Sequence, residues 1–330
     1  MDHGSGGVKT SELIDSILRP AFSNPELEAM GDGALLRTPA AGQLAFSTDS
    51  FVVQPIEFPG GDIGKLAVCG TVNDLAMCGA KPLWLSLSMI LEEGLPIETL
   101  ERIVQSVART AKAAGVNVVT GDTKVVERGH GDGVYLNTAG VGEVVCRGLT
   151  PDAIREGDCV LVTGPVGDHG AAVMLARHDL GIETDLVSDC MPLHELARAA
   201  WEAADGALRC LRDATRGGVA TTLCEFAEGR PFSINLAEAK VPVRPQVRMA
   251  CELLGLDPLY CANEGRMLAV VAEEKAEAVL SALRNTPGGE GAAIIGRVSG
   301  KWPGRVTLEN AYGANRILTK LTGAQLPRIC

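Results

Sequence analysis

Hydrophobic and polar positions along this chain repeat with two periods, and the switching between them lays out a mixed α/β protein. Strand-like patterns of apolar residues run over 44–51, 83–91, 116–120 and 134–144. Helical spacing marks 13–18 and much of 60–78. It also marks 96–115, which opens on Pro96 and closes on Gly115. From residue 44 onward the order is strand, helix, strand, helix, strand, strand, which predicts an α/β or α+β domain. The pattern breaks at Leu149-Thr150-Pro151, and a second α/β series follows. Its strands are expected at 159–163, 233–236, 267–271 and 293–298. Its helices are expected at 171–177, 194–204, from 218 to 228, 245–254 and 275–283. Beyond these, 306–308 and the remaining residues carry little periodicity. Four regions follow: a glycine-rich segment and helix (1–42), a first domain (43–150), a second domain (151–320) and a flexible tail (321–330).

Composition narrows the partners. A chain of 330 residues is long enough for two domains, and 46% hydrophobic with 22% charged residues suits a sizeable core. A net charge of −11 argues against a nucleic-acid backbone, although a local site with a cation could still hold a nucleotide. Ten cysteines are present and none forms a Cys-x-x-Cys pair. Cys69, Cys78, Cys159, Cys224 and Cys251 sit in apolar runs and are expected to be small buried hydrophobes. No signal peptide and no apolar run approaching 18 residues is visible, so a reduced, cytoplasmic protein without membrane attachment is expected.

The chemistry concentrates in acidic turns and in the tail. Asp49, Asp74, Asp122 and Asp213 each sit in a short polar turn within apolar surroundings. Each alone fits a helix cap. If the four converge they repel one another, and a hard divalent cation such as magnesium is the natural counter-charge. Lys124 shares a face with Asp122 if that segment is extended, either as an ion pair or as a phosphate contact. Arg216 before Gly217-Gly218 is a second anion contact or a plain helix start. Asn73 and Asp74 interrupt an apolar helix and need partners. Glu264, between Asn263 and Gly265, is a base candidate or a turn-stabilising residue. His169, after Gly167-Asp168, is near a candidate site or, by preference, a helix-cap residue, and His130 reads as a solvated loop residue. The sequence closes with Pro327-Arg328-Ile329-Cys330, whose thiol is either an incidental cysteine or one carried on an arm into a site elsewhere. Residues 321–330 fully extended would reach about 30 Å.

These motifs together carry a resemblance. Ser47-Thr48-Asp49-Ser50, Asn73-Asp74, Gly121-Asp122-Thr123-Lys124, Gly167-Asp168-His169-Gly170 and Arg212-Asp213-Ala214-Thr215-Arg216-Gly217-Gly218 resemble the PurM-like ATP-binding superfamily. The opening His3-Gly4-Ser5-Gly6-Gly7 and the closing Pro327-Arg328-Ile329-Cys330 resemble its HypE-like hydrogenase-maturation proteins. The resemblance implies two α/β domains, the first dimerising through its strands into a barrel-like interface. It implies a homodimeric carbamoyl dehydratase. HypF would carbamoylate the terminal cysteine, ATP would drive dehydration to a thiocyanate, and cyanide would pass to iron on a HypC–HypD complex. It assigns Asp49, Asp74, Asp122 and Asp213 to Mg2+ and phosphate, with Asn73, Thr123 and Lys124 as further nucleotide or active-site contacts. Cys330 matches the loaded thiol, Lys124 would neutralise developing charge, and Glu264 is the base candidate. Where many superfamily members carry paired aspartates, this chain has Gly31-Asp32-Gly33. Competing readings are another PurM-like enzyme, of selenophosphate synthase, thiamine-monophosphate kinase or purine-cyclising type, or a non-catalytic thiol carrier or metallochaperone.

Overall fold

The computed structural model describes residues 12–28, 36, 42–178, 184–321 and 328–330. The glycine-rich opening, the helix-capping Thr10 or Ser11, Asp32 and tail residues 322–327 lie outside these. The first domain is built from β1 (Leu44–Phe51), α1 (Ile63–Met77), β2 (Ala80–Glu92), α2 (Ile97–Ala114), β3 (Asn117–Val126) and β4 (Val134–Val144). This is the order expected. Its sheet runs β1-β4-β2-β3, with only β2 and β3 parallel. Alternation along β1 and β4 puts one side-chain set under α1 and α2 and leaves the other open. On that open face Phe46 is 70% exposed, and Leu44 and Ile90 are exposed as well.

The second domain comprises β5 (Cys159–Val162), α3 (Asp168–His178), α4 (His194–Ala204), β6 (Leu208–Asp213) and α5 (Gly218–Ala227). It continues with β7 (Ser233–Ala237), α6 (Pro245–Leu254), β8 (Met267–Val271), α7 (Ala276–Arg284) and β9 (Ala293–Ser299). A hairpin of β10 (Val306–Glu309) and β11 (Asn315–Leu318) ends it. The sheet order is β11-β10-β7-β9-β5-β8-β6, with β7 and β10 parallel and the other neighbours antiparallel. Two strands have little signature in the sequence. β6 ends in the Arg212-Asp213 turn motif, and β11 reads Asn-Arg-Ile-Leu, three of whose four residues are exposed.

Helix α1 joins the two halves. It is buried on nearly every side, because β1 and β4 cover one flank, α2 another, and α4 with β6 of the second domain a third. The polar pair inside it finds the partners the sequence demands. Asn73 donates to the carbonyls of Met191 and Glu264 and accepts from the Leu193 N–H, at 3.2, 3.4 and 2.7 Å. Asp74 accepts from Ser47 Oγ at 2.5 Å. The cysteines follow expectation except one: Cys69, Cys159, Cys224 and Cys251 are buried, but Cys78 is exposed at the C-cap of α1.

Close approach of α1 to β1 depends on Gly70. A Cβ there would lie 2.8 Å from the Phe51 ring and 3.4 Å from Asp49 Oδ2. Gly70→Ala is therefore expected to lower stability by about 1–3 kcal/mol despite its better helix propensity. A urea-denaturation midpoint equal to that of the unchanged protein would contradict this.

Candidate active site

The two domains bring four carboxyl groups to their junction. Asp49 points from β1 toward α1, Asp74 projects from α1, Asp213 ends β6, and Glu264 precedes β8. They are close enough to disturb one another. Burial pushes Asp213 up to about 7, reinforced by the negative charge of Asp74 and, more weakly, Asp49. Burial raises Asp49 too, with Asp74 adding and Arg216 opposing. Glu264 is raised well above the ordinary carboxylate range, by burial first and then by Cys190, Asp213, Asp189 and Asp49. Its Oε1 is buried without a hydrogen-bond partner.

The Glu264 loop is fixed from behind. Asp189 Oδ1 accepts the Glu264 N–H at 3.0 Å, while Arg266 Nε lies 3.6 Å from Asp189 Oδ2. Gly265 is required here, since a Cβ would fall 1.8 Å from the Asp189 carbonyl oxygen. Asn263 is consumed in the same way: its Oδ1 accepts from Gly167 N, and its Nδ2 donates to the Ala214 and Cys261 carbonyls.

Into this cluster comes the tail. Ile329 is 2% exposed and Cys330 is half-buried against the first-domain core. The Cys330 thiol is pushed well up by burial, then by the carboxyl of Glu264; Arg216 opposes and Asp49 adds. The end of the arm expected to be mobile is thus seated at the carboxylates.

Asp122, Thr123 and Lys124 are not brought into this cluster. Asp122 pairs in register with Ser88, Ser88 with Asn137, and Asn137 with Ser50. Asn137 Nδ2 donates to Thr48 Oγ1 and Ser50 Oγ, which alternate with Asp49 on β1. Asp122 and Lys124 therefore occupy the open face of the first sheet, opposite the face of Asp49. They pair with each other at 2.8 Å, both largely exposed. Thr123 turns to the other face, beside a pocket of about 240 Å³ under residues 14–27. Asn73 is 1% exposed and its amide is spent on the 191–193 segment and Glu264. Arg216 stands where its charge acts on both Asp49 and Cys330. His130 is an exposed loop residue 3.6 Å from Glu127.

Sequence reasoning missed Ser188, Asp189 and Cys190, and placed His169 near a candidate site while favouring a capping role. All four lie at the site's rear wall. Their one signal is a polar triplet, Ser188-Asp189-Cys190, in a stretch without periodicity.

The donor set can be tested against a divalent cation. Asp49, Asp74 and Asp213 offer hard carboxylate oxygens around one junction, a donor type that suits magnesium. Among the described residues no three His, Cys, Asp or Glu side chains form a ready cage.

Known proteins place this arrangement. The pattern described as AIR synthase related protein, N-terminal domain, matches residues 30–144, and the corresponding C-terminal domain matches 155–309. Two such halves around a carboxylate-lined junction define a two-domain protein of the AIR synthase related class. Carbamoyl dehydratase HypE of Rhodobacter capsulatus is 49% identical over 331 residues, covering 99% of this chain and 97% of its own. A crystal structure of hydrogenase maturation protein HypE in complex with ATP superposes with TM-score 0.94 at 46% identity, covering 100% of this chain and 99% of that one. HypE from a HypE–HypF complex superposes at 0.81 and 45% identity, covering 94% and 99%. The chain belongs to the HypE carbamoyl dehydratase family. A thiamine-monophosphate kinase from Stenotrophomonas maltophilia, 23% identical at TM-score 0.70, covering 90% of this chain and 95% of its own, shares the fold alone. Among the described residues no helix is long and apolar enough to cross a membrane.

The raised pKa of Asp213 has a stability consequence. Between its ordinary value of 3.8 and about 7 the folded form keeps a proton that the unfolded form releases, so stability falls as pH rises through that window. Asp213→Asn should therefore raise the melting temperature of the ligand-free protein at pH 8 and leave it nearly unchanged at pH 4. Equal shifts at both pH values would show that Asp213 is not the titrating group.

Proposed function

We propose that the protein dehydrates an S-carbamoyl group carried on Cys330 to a thiocyanate, using ATP, in the cytoplasm. The thiocyanate supplies cyanide for the iron of nickel–iron hydrogenase. The observation that carries this reading is the seating of Cys330 against Glu264 among desolvated carboxyls. A kinase needs no thiol there, and a passive carrier needs no carboxylate cluster.

The carbamoyl oxygen attacks the γ-phosphorus of ATP and ADP leaves. One N–H proton is lost as the C=N bond forms. Glu264 takes the second as the C–O bond breaks and its electron pair departs with phosphate. Sulfur, carbon and nitrogen stay on the tail, and the oxygen leaves in inorganic phosphate. A carboxylate with a raised pKa is the stronger proton acceptor once ionised. Asp49, Asp74 and Asp213 would hold Mg2+, which supplies neutralising charge for the phosphates. The docked thiol, its pKa raised, is a poor nucleophile. Loading by HypF therefore takes place with the tail outside, in keeping with the complex known for a relative. Delivery to HypC–HypD requires the same exit.

The open face of the first sheet, with Phe46, Leu44 and Ile90 exposed, is the surface for a homodimer. Asp122 and Lys124 share that face and cannot reach the cluster of their own chain. We assign them to the site of the partner copy, where Lys124 meets the developing phosphate charge.

Protein carbamoylated at Cys330 and given ATP and Mg2+ should lose the mass of one water on the Cys330 peptide. Cys330→Ala should be inert. Glu264→Gln should slow dehydration roughly 10²–10⁴-fold with ATP binding retained. A carbamoylated protein that consumes no ATP and loses no water would overturn the reading. Mixing Glu264→Gln with Lys124→Ala subunits should restore activity that neither has alone, because one site of each mixed dimer is then complete. Failure to complement would return Lys124 to a structural role.

A further inference from the structure

The dehydratase chemistry does not account for a set of contacts just behind the thiol. His169 is fully buried at the first turn of α3, with the Phe58 ring edge-on at 5.4 Å. Its Nε2 lies 2.8 Å from the Ile329 carbonyl oxygen and its Nδ1 2.8 Å from Ser188 Oγ. A carbonyl only accepts, so Nε2 carries the proton and Nδ1 must accept. Ser188 is set up for that role, because its Oγ receives the Cys190 N–H at 3.1 Å and keeps its own hydrogen for the imidazole. Burial pushes His169 down to about 4, so near pH 7 the ring is neutral and has a single N–H to give.

A second set grips the residue before. The Arg328 carbonyl accepts from Gln54 N at 3.2 Å and from Arg177 Nη2 at 2.6 Å. Its side chain pairs with Asp132 at 3.0 Å and borders a surface cavity of about 580 Å³. Arg328 has φ +52°, a conformation that a non-glycine residue adopts only when its surroundings hold it there. Three donors therefore converge on two successive carbonyls of a segment that must also leave. None of them touches the reacting thiol.

We propose that His169, oriented by Ser188, acts with Arg177, the Gln54 amide and Asp132 as a latch that grips the Arg328-Ile329 backbone and the Arg328 side chain and sets the thiol of Cys330 against Glu264. These are positioning residues. The latch governs the fraction of time the tail is inserted, and so the division of the protein between loading outside and dehydration inside. The inference rests on the dehydratase reading for its consequence, but its primary test does not.

That test is the alkylation rate of Cys330 in the full-length protein by iodoacetamide, followed on the Cys330 peptide by mass spectrometry. His169→Leu should raise the rate roughly tenfold, the scale of one lost hydrogen bond with its buried partner left unpaired. His169→Gln, which can still donate to the Ile329 carbonyl, should stay near the unchanged rate. Arg177→Ala and Asp132→Asn, at partly exposed positions, should accelerate alkylation even if His169→Leu fails to fold. In protein already carbamoylated, the same variants should slow single-turnover dehydration while ATP affinity is unchanged. Unchanged alkylation in His169→Leu and Arg177→Ala would overturn the latch, whatever the dehydration assay gives. Accelerated alkylation in variants of a protein that never dehydrates its carbamoyl group would uphold the latch and overturn the dehydratase reading.

Discussion

The withdrawal of like charge from water at the domain junction is the constraint that the rest of the structure serves. Asp49, Asp213 and Glu264 lose solvation on burial, and the charge of Asp74 acts on Asp49 and Asp213 besides, which no single hydrogen bond offsets. The protein tolerates this because the backbone around the carboxyls is tied down independently of them. Asn73 clamps the segment at 191–193, Asp189 and Arg266 brace the Glu264 loop, and Asn263 binds the loops at 167 and 214. The carboxyls are thus held close together by a frame that does not depend on their own charges.

The tail meets the same constraint from the other side. A thiol placed beside buried carboxyls is held protonated, so it cannot be both docked and reactive. A neutral carbamoyl group carries no such penalty. Under the proposed reaction, loading and dehydration therefore fall to different positions of the tail. The contacts that hold the tail fall on its backbone carbonyls and on Arg328, which leaves the chemistry at Cys330 free to change through the cycle.

Much of the fold was legible because its signals are local. Strand alternation, the Pro96 to Gly115 helix and the strand–helix order of the first domain appear as expected. β6 and β11 were not legible: the first ends in charged turn residues and the second is a mostly exposed edge. Asp49, Asp74, Asp213, Glu264 and Cys330 stand out in the sequence by residue type, and the fold gathers them at one junction. The site was not legible where burial alone creates the role. His169 reads as a helix-cap residue until the fold lays Ile329 against it, and Cys78 reads as core until the turn after α1 exposes it.

The sequence alone determined the two α/β halves, the acidic turns, the thiol-bearing arm and the resemblance that ties them together, since these depend on residue identity and short-range spacing. Only the tertiary structure decided which carboxylates meet. Side-chain alternation is a local rule, but which face of a sheet a helix covers is not. That choice puts Asp49 with Asp74, and sends Asp122 and Lys124 to the opposite face.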